Sequence, residues 1–542
     1  MYTDCNLGRE SYTKQKKLLD SYGFHVLRPW KHLRNRQLTL TPAVKELPAP
    51  HNGVYFPLLE AVKITVERVL TTISIEPEKI SSDLKLKIKF GFDGSGSHSI
   101  YNQINNMQTN NIIMTMFCPL VIEDSNGSAV WSNDSPNDPL TQRPVALQLG
   151  KESTDSLQSL ALFNQDMASM KEGIRIGDSS VEVQISSYMM DRKAVDLYFG
   201  IGGAYCDLCN ASRKESMDVQ VVKNGFSITK NITNLNIIFD ELVQLDGTVR
   251  KETGDYAHRQ GITNKPIATY QAPTVQVLHA LLRSFDFFMK LAVHVKAGVF
   301  NWSEGTSHSS QFLSAAKQQL QNRIFKDLGI QWDVVDKTGR GGTTTTGNVA
   351  RRLLHSGRHV ILSEIPDDFK ETFKHLGQHL SIILRVVSSK EKVNVEMYKQ
   401  MCLDLYMFLL ESFPRVVNKH EPGPWISITP SVHKLIAHSW ELIELNDGCG
   451  LGALDESGLE GCNKILRNIR TKISRKTSQK DNLIDTIRRM WLASDPVVQF
   501  ERRKVKLVCK TCGSVGHTSR SCDSEKQTVA TEDDALFNNL IQ

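Results

Sequence analysis

The most specifically spaced chemistry in the chain is Cys509-x2-Cys512-x4-His517-x4-Cys522, with glycines at positions 513 and 516 inside the run. Three thiolates and one imidazole close a tetrahedral zinc site, and the glycines let a very short loop wrap one ion. Lys504, Lys506, Lys510 and Arg520 around this zinc knuckle suit contact with nucleic acid. A second thiol pair, Cys206-Asp-Leu-Cys209, admits two readings: half of a zinc site, or a redox pair. The redox reading is the weaker, because no thioredoxin-like βαβ pattern surrounds it. His433 and His438 lie five residues apart, which separates them by about 140° on an ideal helix. They meet at one ion only if a helix end or loop turns one of them; otherwise they are ordinary surface or core histidines.

Oxygen ligands come from Asp93, Asp191, Glu456 and Glu460. A few carboxylates on rigid elements can hold the divalent ions that activate and stabilise oxygens during phosphoryl transfer. Each acid also has a plain structural reading. Asp93 can be a turn residue closing a strand, Asp191 an N-cap, and Glu456 with Glu460 an acidic helix start that suits the helix dipole. Downstream, Lys464, Arg467, Arg470, Lys472, Arg475 and Lys476 surround an apolar stripe of Ile465, Leu466, Ile469 and Ile473. That density of cations fits DNA-backbone contact.

These residues need elements to carry them. From Leu84 the chain alternates strictly, with Leu84, Leu86, Ile88, Phe90 and Phe92 set against Lys85, Lys87 and Lys89. This predicts a half-buried strand that ends at Asp93-Gly-Ser-Gly. Apolar runs at 112–122 and 145–149 predict further strands, and Val181–Ile185 alternates again before Asp191. Helical periodicity covers about 55–74, then 275–295, 312–328, 369–387 and 395–413. Residues 337–347 are loop-like by composition, and the polar chain from Lys526 onward predicts a disordered tail. Strands followed by helices argue for an α/β domain.

The bulk figures bound the rest. A chain of 542 residues, 40% apolar and 23% charged, is ordinary for a globular protein of two or three domains. The net charge of +6 is too small to argue for nucleic acid by itself. No apolar run reaches membrane-spanning length and residues 1–30 lack a signal-peptide core, so an intracellular protein with no membrane partner is expected. Five of the ten cysteines fall in the two clusters, which favours metal over disulfides.

Taken in order, Phe92-Asp93-Gly-Ser-Gly-Ser, then Met190-Asp191-Arg-Lys with Gly-Gly-Ala-Tyr-Cys206-Asp-Leu-Cys209, then the block from His433 to Asn463-Lys464, resemble one family. It is that of the Transib transposases and the catalytic subunit of the V(D)J recombinase, with its recombination-activating-protein-like transposon relatives. Tyr12-Thr-Lys, Leu33-Arg34-Asn35 and Gly347-Asn348-Val-Ala-Arg351-Arg352 are similar to it as well. The resemblance covers roughly residues 10 to 495.

The resemblance implies a DDE recombinase with an α/β, ribonuclease-H-like catalytic domain, a large, mainly helical zinc-binding insertion and a C-terminal zinc knuckle. Asp93 and Asp191 become the first two acids holding Mg²⁺ or Mn²⁺. Cys206, Cys209, His433 and His438 share one structural zinc, and the knuckle holds a second. In the family the third acid stands six residues before the Asn of Asn-Lys; here that position is Ser457, so Glu456 takes the role, with Glu460 as the alternative. Arg351 and Arg352 join the basic run as DNA contacts.

The implied organisation is an N-terminal helical DNA-binding and dimerisation segment over 1–80, shortened relative to the family. The first part of the catalytic core follows over 81–200, the insertion over 201–445, the closing helices over 446–500, the knuckle over 501–525 and the tail over 526–542. The implied partners are double-stranded DNA with terminal inverted repeats, a second copy of the chain, and an accessory second subunit, all in the nucleus. The implied activity is nicking at terminal-repeat DNA, hairpin formation by transesterification, and strand transfer. Two alternatives are a catalytically impaired, domesticated transposase that binds DNA through zinc-dependent modules, and a zinc-knuckle RNA-binding protein.

Overall fold

The computed structural model describes residues 9–73, 83–96, 111–203, 205–209, 211–242, 261–269, 276–300, 302, 307–333, 345–413, 425–475, 477–504 and 532–541. The zinc-knuckle ligands Cys509, Cys512, His517 and Cys522, Lys476, and loop residues 337–344 lie outside them. The chain divides into two compact units. A sheet unit comprises Met1–Phe199, Pro266–Val275 and Glu456–Val529; a helical unit comprises Gly200–Lys265, Gln276–Asp455 and Ala530–Gln542.

The sheet unit is built on eight strands: β1 (Lys45–Glu46), β2 (Gly53–Tyr55), β3 (Asp83–Ser95), β4 (Ile112–Asp124), β5 (Ala129–Ser132), β6 (Arg143–Leu149), β7 (Ile174–Ile176) and β8 (Ser179–Met189). Their order is β1-β2-β6-β4-β3-β8-β7, with β5 paired to β4. β3, β4 and β6 form an antiparallel meander, and β8 lies parallel to β3 on its other side.

The alternating β3 stretch therefore becomes the central strand. Leu86, Ile88, Phe90 and Phe92 are fully buried, as the alternation predicts. The opposite face is only partly solvated. Lys87 pairs with Glu123, whereas Lys89 is fully buried and donates to Asn137 Oδ1 at 2.7 Å. Gly91 is forced: a Cβ there would sit 1.9 Å from the Met189 carbonyl oxygen of β8.

Helices cover the sheet. Leu58–Leu70 starts after Pro57, with Tyr55 already in β2, so the expected helix is trimmed at both ends. Gln479–Ala493 brings Trp491 against Phe56 (5.2 Å between rings) and under the buried Arg143 guanidinium (3.5 Å).

The helical unit bears out the long periodic segments as Val277–Lys296, Ser307–Leu328, Asp367–Ser388 and Val395–Ser412. Pro430–Leu445 is largely buried as well. One expectation is corrected. Residues 532–540, placed in a disordered tail, form the helix Glu532–Leu540, whose Asp533 and Leu540 are buried. Arg358 grips Asp533 with two hydrogen bonds of 3.0 and 3.1 Å, and Asn394 N–H donates to the Leu540 carbonyl at 2.8 Å. A few well-placed contacts order a segment whose polar composition argues for disorder. No described helix is long and apolar enough to cross a membrane.

Candidate metal centres

Cys206, Cys209, His433 and His438 converge in the helical unit, with one ligand atom from each and all four atoms within 4.8 Å of one another. The thiols come from a tight loop. Its backbone donates Leu208 N–H to Cys206 Sγ (3.4 Å) and Ala211 N–H to Cys209 Sγ (3.5 Å), and Cys206 N–H closes it on the Ala211 carbonyl (3.0 Å). Both histidines sit inside Pro430–Leu445, a helix begun by Pro430 and capped by the Thr429 hydroxyl. No break in the helix is needed to bring them together. Their rings lean across the intervening face, with centroids 5.3 Å apart at 75°.

The surrounding hydrogen bonds decide which ring nitrogen is available. Tyr406 donates its hydroxyl proton to the Ser216 carbonyl at 3.0 Å, so at 2.7 Å it must accept from His433 Nδ1–H. That leaves the His433 Nε2 lone pair facing Cys209 Sγ at 3.4 Å. Glu441 accepts from His438 Nδ1–H at 2.7 Å, and the buried His438 Nε2 has no hydrogen-bond partner. This is the orientation expected of imidazoles whose other nitrogen is a metal ligand. Burial opposes ionisation of Cys206, yet the neighbouring Cys209, His433 and His438 hold its thiol well below the ordinary range. Its hydrogen bond with Cys206 and burial push Cys209 the other way. A buried dication would settle both thiolates at once. The donor set and the orphaned nitrogen fit a metal ion such as zinc.

The sheet unit holds a second group of acids, although among the described residues only Cys206, Cys209, His433 and His438 form a group of three or more whose ligand atoms lie within 4.8 Å of one another. Asp93 lies near the end of β3, and its carboxyl is raised to about 7. Burial is the main cause; the carboxylates of Glu152, Glu460 and Asp191 add to it, against a lowering hydrogen bond from Asn463. Asn463 Nδ2 donates to Asp93 Oδ2 at 2.6 Å. Asp191 stands between β8 and the helix Arg192–Phe199, where Oδ1 accepts the Ala194 N–H at 2.6 Å. The N-cap and site readings of Asp191 thus coincide, because the cap fixes the carboxylate that acts on Asp93.

Glu152 is the acid that sequence reasoning missed. It follows β6, accepts Gly94 N–H at 2.7 Å and lies 3.4 Å from Lys193 Nζ. Burial and the Asp191 charge raise its carboxyl. A Cβ on Gly94 would come within 2.8 Å of Glu152, so the glycine after Asp93 makes room for this side chain. The only signal in the sequence is an acid just beyond a strand end and just before a Ser153 cap.

Glu460 lies in the helix Ser457–Asn468, and Glu456 immediately precedes it. Gly458 and Gly461 seat it closely on Gln142 and Pro139, where Cβ atoms would approach within 2.5 and 2.4 Å. Glu456, Glu460, Asn463 and Arg467 then share one side of the helix, with Asn463 on Asp93 and Arg467 Nη2 on the Gly96 carbonyl at 3.2 Å. Glu460 stands three residues before Asn463, about 4.5 Å of rise, and Glu456 seven residues before it, about 10 Å. Glu460 is one of the carboxylates that raise Asp93, and Glu456 is buried, 2% exposed.

Among the predicted DNA contacts, Lys464, Arg467, Lys472 and Arg475 are exposed in the sheet unit, and Arg351 and Arg352 are exposed in the helical unit. Arg470 is not available for phosphate. It is 1% exposed and donates Nε to Asn482 Oδ1 at 3.2 Å, because Gln479–Ala493 closes over the π-helical turn Ile469–Ile473. No protein-family model matches this chain, and no curated protein matches it either.

Proposed function

We propose that the chain is a DDE-type DNA transposase or recombinase, a metal-dependent endonuclease and strand transferase. Asp93, Asp191 and Glu460 are its catalytic acids, and Glu152 is a fourth ligand. The observation that carries this reading is the carboxyl of Asp93 at the end of β3, raised to about 7 chiefly by its burial and further by the charges of Glu152, Glu460 and Asp191. Four acids from distant parts of the chain, gathered at one end of the sheet, repel one another unless cations sit between them. All-oxygen donors of this kind suit Mg²⁺ or Mn²⁺. The strand order β6-β4-β3-β8, with β8 parallel to β3, is the arrangement a ribonuclease-H-like core would have and supports the reading.

Bound there, divalent ions would supply Lewis-acid charge to a phosphodiester under in-line attack. The chain's own residues orient that chemistry. Asn463 holds Asp93, the Ala194 amide holds Asp191, and Gly94 N–H with Lys193 holds Glu152. Lys464 and Arg467, exposed on the same helix, take flanking phosphates. Water attacks phosphorus and breaks a P–O3′ bond, leaving a 5′-phosphate and a 3′-hydroxyl; that hydroxyl then attacks a phosphodiester of the opposite strand, whose own P–O3′ bond breaks to release a 3′-hydroxyl as the hairpin closes. The buried Cys206, Cys209, His433 and His438 hold a structural zinc that pins a short loop to Pro430–Leu445. Glu460 beside Asp93 supplies the acid that Ser457 lacks, which favours an active enzyme over a domesticated DNA-binding protein. The partners in this reading remain terminal-repeat DNA, a second copy of the chain and an accessory subunit, in the nucleus.

The test is nicking of an inverted-repeat duplex by purified protein with Mg²⁺ or Mn²⁺. Wild type should nick and Asp93→Ala should not. Absence of nicking by wild type, or equal nicking by both, removes the proposal.

A further inference from the structure

His375 and His379 stand one turn apart on the helix Asp367–Ser388 of the helical unit, in the run His375-Leu-Gly-Gln-His379. A spacing of four puts two side chains on the same side of a helix, and it is the spacing at which two helical histidines share one ion. Here the two rings meet. Their centroids lie 3.9 Å apart at 36°, and the Phe408 ring of the helix Val395–Ser412 lies 4.3 Å from His375. Both imidazoles are half-buried, and neither pairs with an acid among the described residues.

Hydrogen bonding sets which nitrogens are available. His379 Nδ1–H donates to the His375 carbonyl at 2.9 Å, which makes Nε2 the lone-pair nitrogen of the neutral ring. A ring N–H tied to a backbone carbonyl is the arrangement expected of a metal-ligating histidine. His375 makes no hydrogen bond among the described residues, so its lone pair is uncommitted as well. Imidazole donors without carboxylates suit Zn²⁺, Ni²⁺ and Cu²⁺, the last most tightly, rather than Mg²⁺ or Mn²⁺. The glutamate that follows the first histidine in zinc hydrolases is Leu376 here, so the pair binds an ion rather than hydrolysing with it. Cys206, Cys209, His433 and His438 supply four buried ligands, enough to close a site; this pair supplies two and leaves the other positions to water.

We propose that His375 and His379 form an exchangeable two-histidine site for a divalent transition ion, separate from the buried thiol and histidine centre. It shares no residue with that centre or with the acids around Asp93, and its test involves no cleavage.

The full chain, loaded with Zn²⁺ and stripped of loose metal on a chelating resin, is titrated with Ni²⁺ by calorimetry at neutral pH. Wild type should take up one Ni²⁺ more than the double variant His375→Gln, His379→Gln. Each single variant should weaken that ion about a hundredfold, the order by which a second arm on one scaffold strengthens binding. Retained zinc should be equal in all four proteins, and melting curves check the fold. Added Ni²⁺ should raise the thermal midpoint of wild type and not that of the double variant. One reading needs no variant: the electron paramagnetic resonance of the first equivalent of Cu²⁺ on wild type should show coupling to two imidazole nitrogens. Equal Ni²⁺ uptake by wild type and double variant overturns the site. Loss in only one of the two single variants, or coupling to a single nitrogen, overturns the shared ion.

Discussion

Replacing Tyr406 with Phe removes one oxygen and leaves every proposed zinc ligand in place. That hydroxyl relays a hydrogen bond from His433 Nδ1–H (2.7 Å) to the Ser216 carbonyl (3.0 Å) in a fully buried setting. Without it, the imidazole N–H is left unsatisfied, which costs about 1–3 kcal/mol. The ring is then free to turn its lone pair away from Cys209, and removal of such supporting groups typically lowers metal affinity about 10- to 100-fold. Zinc affinity of Tyr406→Phe, measured by chelator competition at fixed pH, should fall in that range. Tyr398→Phe on the same helix is the control. It loses a buried bond to Ser439 Oγ (2.8 Å), which bonds none of the four proposed ligands, and should keep zinc affinity while losing about 1 kcal/mol of stability. Wild-type affinity in Tyr406→Phe, or an equal loss in Tyr398→Phe, would refute the orientation argument.

Gly94→Ala should displace Glu152 by placing a Cβ 2.8 Å from its carboxyl carbon, and so lower Mn²⁺ affinity about tenfold with little change in melting temperature, because a side chain rather than backbone must yield. The carboxyl of Asp93, raised to about 7, is protonated below that pH, so divalent-ion affinity read by titration should fall about tenfold per unit as pH drops beneath it. The sign reverses for the metal-free protein: stability from this raised carboxyl is fully present below about 4 and is lost as pH rises to about 7, which denaturation at several pH values checks. Asp533→Ala strips Arg358 of a partner that is 5% exposed and should cost about 3 kcal/mol in thermal or urea unfolding.

Local pattern carried much of the fold. The β3 alternation and the 3.6-residue periodicity of the long helices report burial that each segment repeats along its own length. The Cys206–Cys209 and His433–His438 pairs were visible as residues, but their meeting across 224 positions came only through family resemblance. What stayed hidden depends on tertiary neighbours. Glu152 has no motif; it matters because β6 ends beside Gly94. The choice between Glu456 and Glu460 is one of helical rise from Asn463, which counting along a family pattern does not measure. Arg470 reads as one cation among six in a basic run, until Asn482 of the next helix packs over it. The terminal helix was concealed because Asp533, an acid in a polar tail, is held by a single distant arginine.

Central to the account is that Glu460, on one row with Asn463 and Arg467, completes the acid cluster around Asp93. The direct measurement compares Mn²⁺-supported nicking of an inverted-repeat duplex by Glu460→Gln and Glu456→Gln, each confirmed folded by its melting curve. The account predicts that Glu460→Gln loses nicking by about a thousandfold, the order expected when a group acting at the transition state is removed, while Glu456→Gln retains it within about tenfold. Nicking that survives Glu460→Gln and vanishes in a folded Glu456→Gln protein would contradict it.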